Sequence, residues 1–188
     1  MLIALHKPYG VLSQFTNDGS IYQTLASCKL PPKVYPIGRL DADSEGLLLL
    51  TDEPELNRDL LLPEHGHPRR YHAQVEGIPD EADLELLQSG TLIIQGHRVL
   101  PCKARFISDP KHAERIPPIR QRKHIPDSWI ELTLHEGKNR QVRRMTAAIG
   151  HPTLRLMRIA IGAFTLNGIK PGSWHELTNE ERLLVFAR

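Results

Sequence analysis

The apolar positions of this 188-residue chain change period along its length, and the changes mark its elements. Residues 3–6 read as a short strand entering a Lys7-Pro8-Tyr9-Gly10 turn, and residues 22–29 as a short helix. Leu47-Leu48-Leu49-Leu50-Thr51 is an unbroken run too short for a helix, which predicts a buried strand. Residues 52–62 have helical spacing, an acidic first turn and an early Pro54, with Pro63 as the stop. Residues 71–77 alternate as a strand, and residues 80–87 form an amphipathic helix closed by Ser89-Gly90. Residues 92–94, 98–100 and 104–107 predict a strand cluster around a Gln95-Gly96 turn. Further on, residues 129–134 alternate as a strand and residues 139–149 form a basic helix stopped by Gly150 and Pro152. Strands at 154–160 and 164–166 flank Gly162, and Thr178-x-x-Glu181 is the capping signal of a last helix. Such irregular alternation predicts an α+β fold: a mixed, mostly antiparallel sheet with flanking helices and loops.

Between these elements, residues 109–127 interleave proline with Lys111, Arg115, Arg120, Arg122 and Lys123, which predicts a long surface loop. No internal repeat, low-complexity tract or Gly/Ser linker divides the chain, so residues 1–188 are expected to form one domain. Composition narrows the class. Hydrophobic residues at 40% and charged ones at 24% suit a globular chain. No apolar run approaches the ~20 residues of a membrane helix, and the first residues lack a signal-peptide pattern. Cys28 and Cys102 are far apart and outside any C-x-x-C pair, so the expected compartment is the cytoplasm, with no membrane partner.

The net charge of +2 hides a division along the chain. Residues 1–102 carry 8 Lys/Arg against 14 Asp/Glu, whereas residues 103–144 carry 11 against 5. An excess of cations in the second half suits a polyanionic partner, whose phosphates they neutralise with release of counterions. It equally suits a solvated helix face and loop.

Chemistry concentrates in Arg39-x-Asp41-x-Asp43-x-Glu45-Gly46, where three acids precede an apolar strand. A calcium loop needs a bidentate Glu at its twelfth position, but Asp52 stands there, and Pro36 and Gly38 replace an entering helix. A carboxylate-held magnesium site for phosphodiester chemistry fits the spacing but has no matching second acidic cluster. The third reading is one ionised Asp, held by an arginine and acting as nucleophile or base without metal. A turn whose acids are merely solvated remains beside these.

The counterpart in charge is Gly137-Lys138-Asn139-Arg140-Gln141-Val142-Arg143-Arg144. On a helix, Arg140, Arg143 and Arg144 share a face at i, i+3 and i+4. The macrodipole disfavours cations in a first helical turn, so another pressure keeps them there. Phosphate binding is one such pressure, and pairing of one arginine with a carboxylate is another.

Gly38-Arg39-Leu40-Asp41-x-Asp43-Ser44-x-Gly46-Leu47-Leu48-Leu49-Leu50-Thr51 resembles the second signature motif of the RsuA branch of pseudouridine synthases. Glu136 through Met145 is similar to their third motif, Lys7-Pro8-x-Gly10 to their first, and Arg70-Tyr71-x-x-x-Val75-x-Gly77 to their Tyr-bearing strand. The order also agrees, and the resemblance spans about residues 1–180. Within 117–129 and 152–156 the likeness is to a member acting on the large ribosomal subunit.

The resemblance implies the pseudouridine synthase fold, with a catalytic cleft between two lobes, and isomerisation of a uridine in large-subunit ribosomal RNA. It implies no metal and no organic cofactor. By position, Asp41 is the catalytic residue, Tyr71 stacks on the target uracil, Arg143 pairs with Asp41, and Leu156 packs under the base. Arg39 joins these as a substrate-binding residue. Arg120, Arg122, Lys123, Lys138, Arg140, Arg144 and Arg155 are candidates for the RNA backbone. Because the first motif begins at Lys7, the small N-terminal RNA-binding domain of many relatives is expected to be absent, and the protein is expected to act as a monomer. An RNA-binding assembly module without catalysis and a metal-dependent RNA-cleaving enzyme are the alternatives.

Overall fold

A computed structural model of the protein describes residues 1–62, 66–119 and 125–187. In chain order its first strands are β1 (Leu2–Lys7), β2 (Val11–Leu12), β3 (Gln23–Thr24), β4 (Tyr35–Pro36) and β5 (Glu45–Thr51). Helix α1 (Glu55–Leu61), strand β6 (Arg69–Glu76) and helix α2 (Glu81–Gln88) follow. A hairpin of β7 (Ile93–Ile94) and β8 (His97–Arg98) precedes β9 (Lys103–Ile107), β10 (Asp127–Leu134) and helix α3 (Gln141–Ala148). The chain ends with β11 (Thr153–Ile161), β12 (Phe164–Thr165), β13 (Trp174–Glu176) and α4 (Asn179–Phe186). The α+β class with a mixed, mostly antiparallel sheet is as expected; the parallel pairs are β5 with β11 and β2 with β3. Among the described residues no helix is long and apolar enough to cross a membrane.

The chain divides into two compact units, residues 1–68 with 157–188, and residues 69–156. In the first, strand order runs β13, β1, β5 and then the second half of β11. The leucine run of β5 is a strand because antiparallel β1 pairs with it from Gly46 to Thr51, while parallel β11 at Glu45 and Gly46 and antiparallel β4 at Leu50 and Thr51 also pair with β5, and every residue of β5 is buried. Leu47 and Leu49 join Leu2, Ala4, Met157, Phe164, Leu56 and Leu60 in one apolar cluster. Full burial of each leucine is worth about 1.5–3 kcal/mol, which outweighs leucine's mild preference for helix.

In the second unit β10 lies between β6 and β9, antiparallel to both. Tyr71, Ala73 and Val75 of β6 are buried, while Arg70, His72, Gln74 and Glu76 alternate with them on the other face. Helix α2 packs against β9 and opens on a capping box of Asp80 and Asp83, each side chain accepting from the other's backbone N–H.

Two expectations shift. Residues 22–29 form strand β3 and a 3-10 turn over Leu25–Cys28 rather than an α-helix. Gln23 and Thr24 are taken by pairing with Val11 and Leu12, and Lys29 adopts a left-handed conformation just before Pro31 and Pro32, leaving one turn. Helix α3 begins at Gln141, because Arg140 is itself left-handed, with φ 52°. Gln95 and Gly96 both have positive φ, as a two-residue turn of twist-matched type requires, and they close the β7–β8 hairpin.

Candidate active site

In the first unit the three acids of the signature segment diverge. Glu45 is buried at the start of β5, while Asp41 and Asp43 are half-buried in the turn before it. Gly46 fixes that entry. Its φ is +104°, and a Cβ there lies 2.3 Å from the Arg158 carbonyl oxygen and 2.8 Å from the Arg158 nitrogen, so only glycine lets β11 approach. Among the described residues no group of three His, Cys, Asp or Glu side chains is disposed to hold a metal ion.

The Asp41 turn lies outside the strands, and its backbone is held by the segment that follows β1. The Ser13 hydroxyl donates to the Leu40 carbonyl at 2.7 Å and accepts from the Leu40 N–H at 3.0 Å. Gly10 N–H donates to the Ala42 carbonyl at 2.7 Å, and Ser44 N–H to the Asp41 carbonyl at 3.0 Å. Ser13 is buried, so loss of its hydroxyl leaves two backbone groups to be satisfied, each costing roughly 1–3 kcal/mol if it is not. Arg39 is exposed, with one guanidinium nitrogen 3.4 Å from Gln14 Oε1.

Beneath this turn lies a buried cation. Lys7 is fully enclosed, and its ammonium donates to the Val11 carbonyl at 2.7 Å and the Pro8 carbonyl at 3.0 Å. Burial lowers its pKa to about 8, against the opposing pull of Glu45, Cys28, Asp43 and Asp41. A second buried cation, Arg158, donates from Nε to the Leu47 carbonyl at 2.8 Å. Lys7 thus sets a positive charge within electrostatic reach of Glu45, Asp43 and Asp41.

In the second unit Tyr71 is buried on β6 directly across from Leu132. Leu156 is buried at the end of this unit. Arg143 is half-buried on α3 and donates to the Thr153 carbonyl at 3.2 Å, while Thr146 and Thr153 share a hydroxyl–hydroxyl bond of 2.7 Å. These contacts tie α3 to the first residue of β11.

The cations proposed for RNA separate into distinct environments. Lys138 and Arg140 are exposed in the segment leading into α3. Arg144 is engaged within the unit, donating to Gln95 Oε1 at 2.5 Å, to the Asn139 carbonyl at 2.6 Å and to Asn139 Oδ1 at 2.7 Å. Arg155 is buried and donates to the Ala113 carbonyl at 2.9 Å, so its guanidinium anchors the 108–119 loop rather than facing solvent. Arg120, Arg122 and Lys123 lie outside the described residues. Glu136 organises this end of the unit. Buried, it accepts from Leu100 N–H at 2.8 Å and Gln141 Nε2 at 2.6 Å, joining the end of the hairpin to the start of α3.

On the face of β6 away from Tyr71, a cross-strand row runs Arg105, Glu131, His72. Arg105 Nε donates to Glu131 Oε1 at 2.8 Å, and His72 Nε2 lies 3.2 Å from Glu131 Oε2. Burial raises the Glu131 pKa, but hydrogen bonds from Arg105 and His72 outweigh it and hold the carboxyl below its ordinary value. An ionised carboxylate only accepts, so His72 donates from Nε2 and its Nδ1 accepts from His112 Nε2–H, 2.9 Å away. His112 also meets the Trp129 ring edge-on, with centroids 5.7 Å apart. With Arg155 on Ala113, this bond holds the 108–119 segment against the sheet at His112 and Ala113.

Sequence reasoning did not find Ser13, Arg158 or the His72–His112 row. All three act through pairs far apart in sequence, and no local pattern marks such partners.

The profile of the RNA pseudouridylate synthase family matches residues 1–148. Ribosomal large subunit pseudouridine synthase E of Xanthomonas campestris is 51% identical over 175 residues, spanning 93% of this chain and 94% of its own. Its namesake in Vibrio vulnificus is 48% identical over 177 residues, spanning 94% of this chain and 75% of its own. Ribosomal large subunit pseudouridine synthase B of Bacillus subtilis is 39% identical over 94% of this chain and 68% of its own. The crystal structure of a pseudouridylate synthase superposes with a TM-score of 0.80 at 26% identity, covering 98% of this chain and 73% of that one. The expected likeness to an enzyme of the large ribosomal subunit agrees with these matches to the E enzymes over most of the chain. With a half-identical relative matched nearly end to end and the same fold in a solved structure, the chain belongs to the RNA pseudouridylate synthase family.

Proposed function

We propose that this protein converts a uridine of large-subunit ribosomal RNA to pseudouridine, with Asp41 as its catalytic residue. The observation that carries the reading is the Asp41 turn, a half-buried carboxylate on a backbone held on both sides, in a chain 51% identical to an enzyme of that name. In this reaction the bond from ribose carbon 1′ to uracil N1 breaks, the base rotates, and carbon 1′ bonds to carbon 5. The proton on carbon 5 leaves and N1 gains one, so no oxidant, reductant or co-reactant is needed. Asp41 opens the sequence either by attacking carbon 1′ or as the base of a glycal route, and both need it ionised and fixed.

A uridine in a stacked helix is out of reach, so the nucleotide must be extruded, and an aromatic face recovers about 1–3 kcal/mol per base by stacking. Tyr71 takes that role in our reading, and Leu156 packs under the base. Arg143 orients the Asp41 carboxylate; its planar fork suits this better than a lysine's point charge. Arg39, Lys138, Arg140, Arg144 and the loop residues Arg120, Arg122 and Lys123 hold RNA phosphates, and Arg155 serves by anchoring that loop. The substrate is free RNA or an assembling particle, and the enzyme works as a cytoplasmic monomer without metal or cofactor.

The test is to map pseudouridines in ribosomal RNA from cells with and without the gene. One large-subunit position is expected to revert to uridine and to be restored by the wild-type gene but not by one carrying Asp41→Asn. An unchanged map overturns the reading.

A further inference from the structure

Four successive peptide groups around Asp41 each carry a hydrogen bond, and together they fix the direction in which its side chain leaves the backbone. The group between Arg39 and Leu40 offers its N–H to Ser13 Oγ at 3.0 Å. The next, between Leu40 and Asp41, has its carbonyl held by the same hydroxyl at 2.7 Å. The group between Asp41 and Ala42 accepts from Ser44 N–H at 3.0 Å, and the one between Ala42 and Asp43 accepts from Gly10 N–H at 2.7 Å. Fixing the peptide planes on both sides of a residue fixes its φ and ψ, and with them the direction of its Cα–Cβ bond. Both bonds on the N-terminal side come from one buried hydroxyl, 27 residues away in sequence, at the end of β2. Residues 38–44 belong to no strand, so no ladder does this work.

We infer that Ser13 is a positioning residue for pseudouridine formation: through Leu40 it aims the Asp41 carboxylate without touching substrate. The inference rests on Asp41 being the catalytic residue of the proposed function. A carboxylate attacking carbon 1′ or removing a neighbouring proton needs its oxygen placed to a fraction of an ångström, and misplacement by about 1 Å costs on the order of 10²-fold. Ser13 stands outside the Lys7-Pro8-x-Gly10 motif, which is why motif reading passes over it.

The experiment compares wild type, Ser13→Ala, Ser13→Thr and Asp41→Asn on large-subunit ribosomal RNA purified from cells lacking the gene. Single-turnover rate at saturating enzyme and RNA affinity are measured separately, with hydrogen exchange read along the chain. Ser13→Ala is expected to slow the single turnover by about 10²-fold while leaving affinity within about twofold, and Ser13→Thr, which restores the hydroxyl, to recover most of the rate. Exchange protection is expected to fall in residues 39–42 and to persist in β1 and β5. A Ser13→Ala rate within twofold of wild type, an equal loss of rate and affinity, or loss of protection throughout the chain overturns the inference; the last is the mark of a residue needed only for folding. If Asp41→Asn stays active, the catalytic reading itself fails. An inert Asp41→Asn beside a fully active Ser13→Ala removes the Ser13 role alone.

Discussion

Around Asp41 the backbone is held by its neighbours, with buried Ser13 and Ser44 and half-buried Gly10 each supplying bonds and the Lys7 ammonium enclosed nearby. Ahead of α3, Lys138 and Arg140 stand exposed on a segment whose own backbone enters a left-handed conformation at Arg140. The first region spends burial to fix one short carboxylate. The second keeps its long cationic side chains at the surface. In the function we propose, bond cleavage at a single ribose carbon tolerates little positional error, whereas phosphates along an RNA strand are many and alike, so grip on them needs charge more than aim.

Four measurements can break or sharpen that contrast. The largest effect is expected from Gly46→Ala, whose new Cβ meets the Arg158 backbone at 2.3 Å: a loss of roughly 2–4 kcal/mol in unfolding free energy. Denaturant titration reads it, and a loss under about 0.5 kcal/mol would mean that β11 does not approach β5 at Gly46 as closely as we describe. Arg143→Lys comes next. It is expected to lower turnover by about tenfold or more with RNA affinity little changed, and equal losses in both would move Arg143 from aiming to gripping.

Neutralising Lys138 and Arg140 together is expected to weaken RNA binding and to reduce the slope of log affinity against log salt by about 2, with turnover of bound RNA unchanged. An unaltered slope would take this segment out of the interface. The same salt titration on Arg120, Arg122 and Lys123 tests the loop.

The smallest effect concerns pH. Burial holds the His72 pKa below its ordinary 6.5, partly opposed by Glu131, while Arg70 and Arg105 also lower it and His112 faces it as a donor. A depressed histidine contributes stability that is present above 6.5 and lost as pH falls toward its folded value, because the unfolded chain then binds the extra proton. Between pH 7.5 and 5.5 the wild-type melting temperature is expected to drop by roughly 1–3 °C more than that of His72→Gln. Equal drops would show that His72 does not hold the basic loop through a neutral imidazole.

Much of the fold was legible because its signals are local. The leucine run of β5, the alternation of β6 and β10, the Thr178 capping box of α4 and the Gln95-Gly96 turn all formed where their patterns placed them. The stretch at 22–29 misled because β pairing with Val11 and Leu12 overrides its helical spacing. Candidate site residues were found by motif, but their environments were not. Nothing local to Arg155 says that it is buried against Ala113, or that Arg144 is already engaged by Gln95 and Asn139. Ser13 was invisible for the same reason, since its importance lies in a backbone that arrives 27 residues later.

The most direct test gives purified wild-type and Asp41→Asn protein the same large-subunit ribosomal RNA, taken from cells lacking the gene, in buffer containing EDTA. Wild type is expected to form pseudouridine at one position and leave the RNA at full length, and Asp41→Asn to bind that RNA equally well and form none. Pseudouridine formed by Asp41→Asn, or RNA left unmodified or shortened by wild type, would contradict the account.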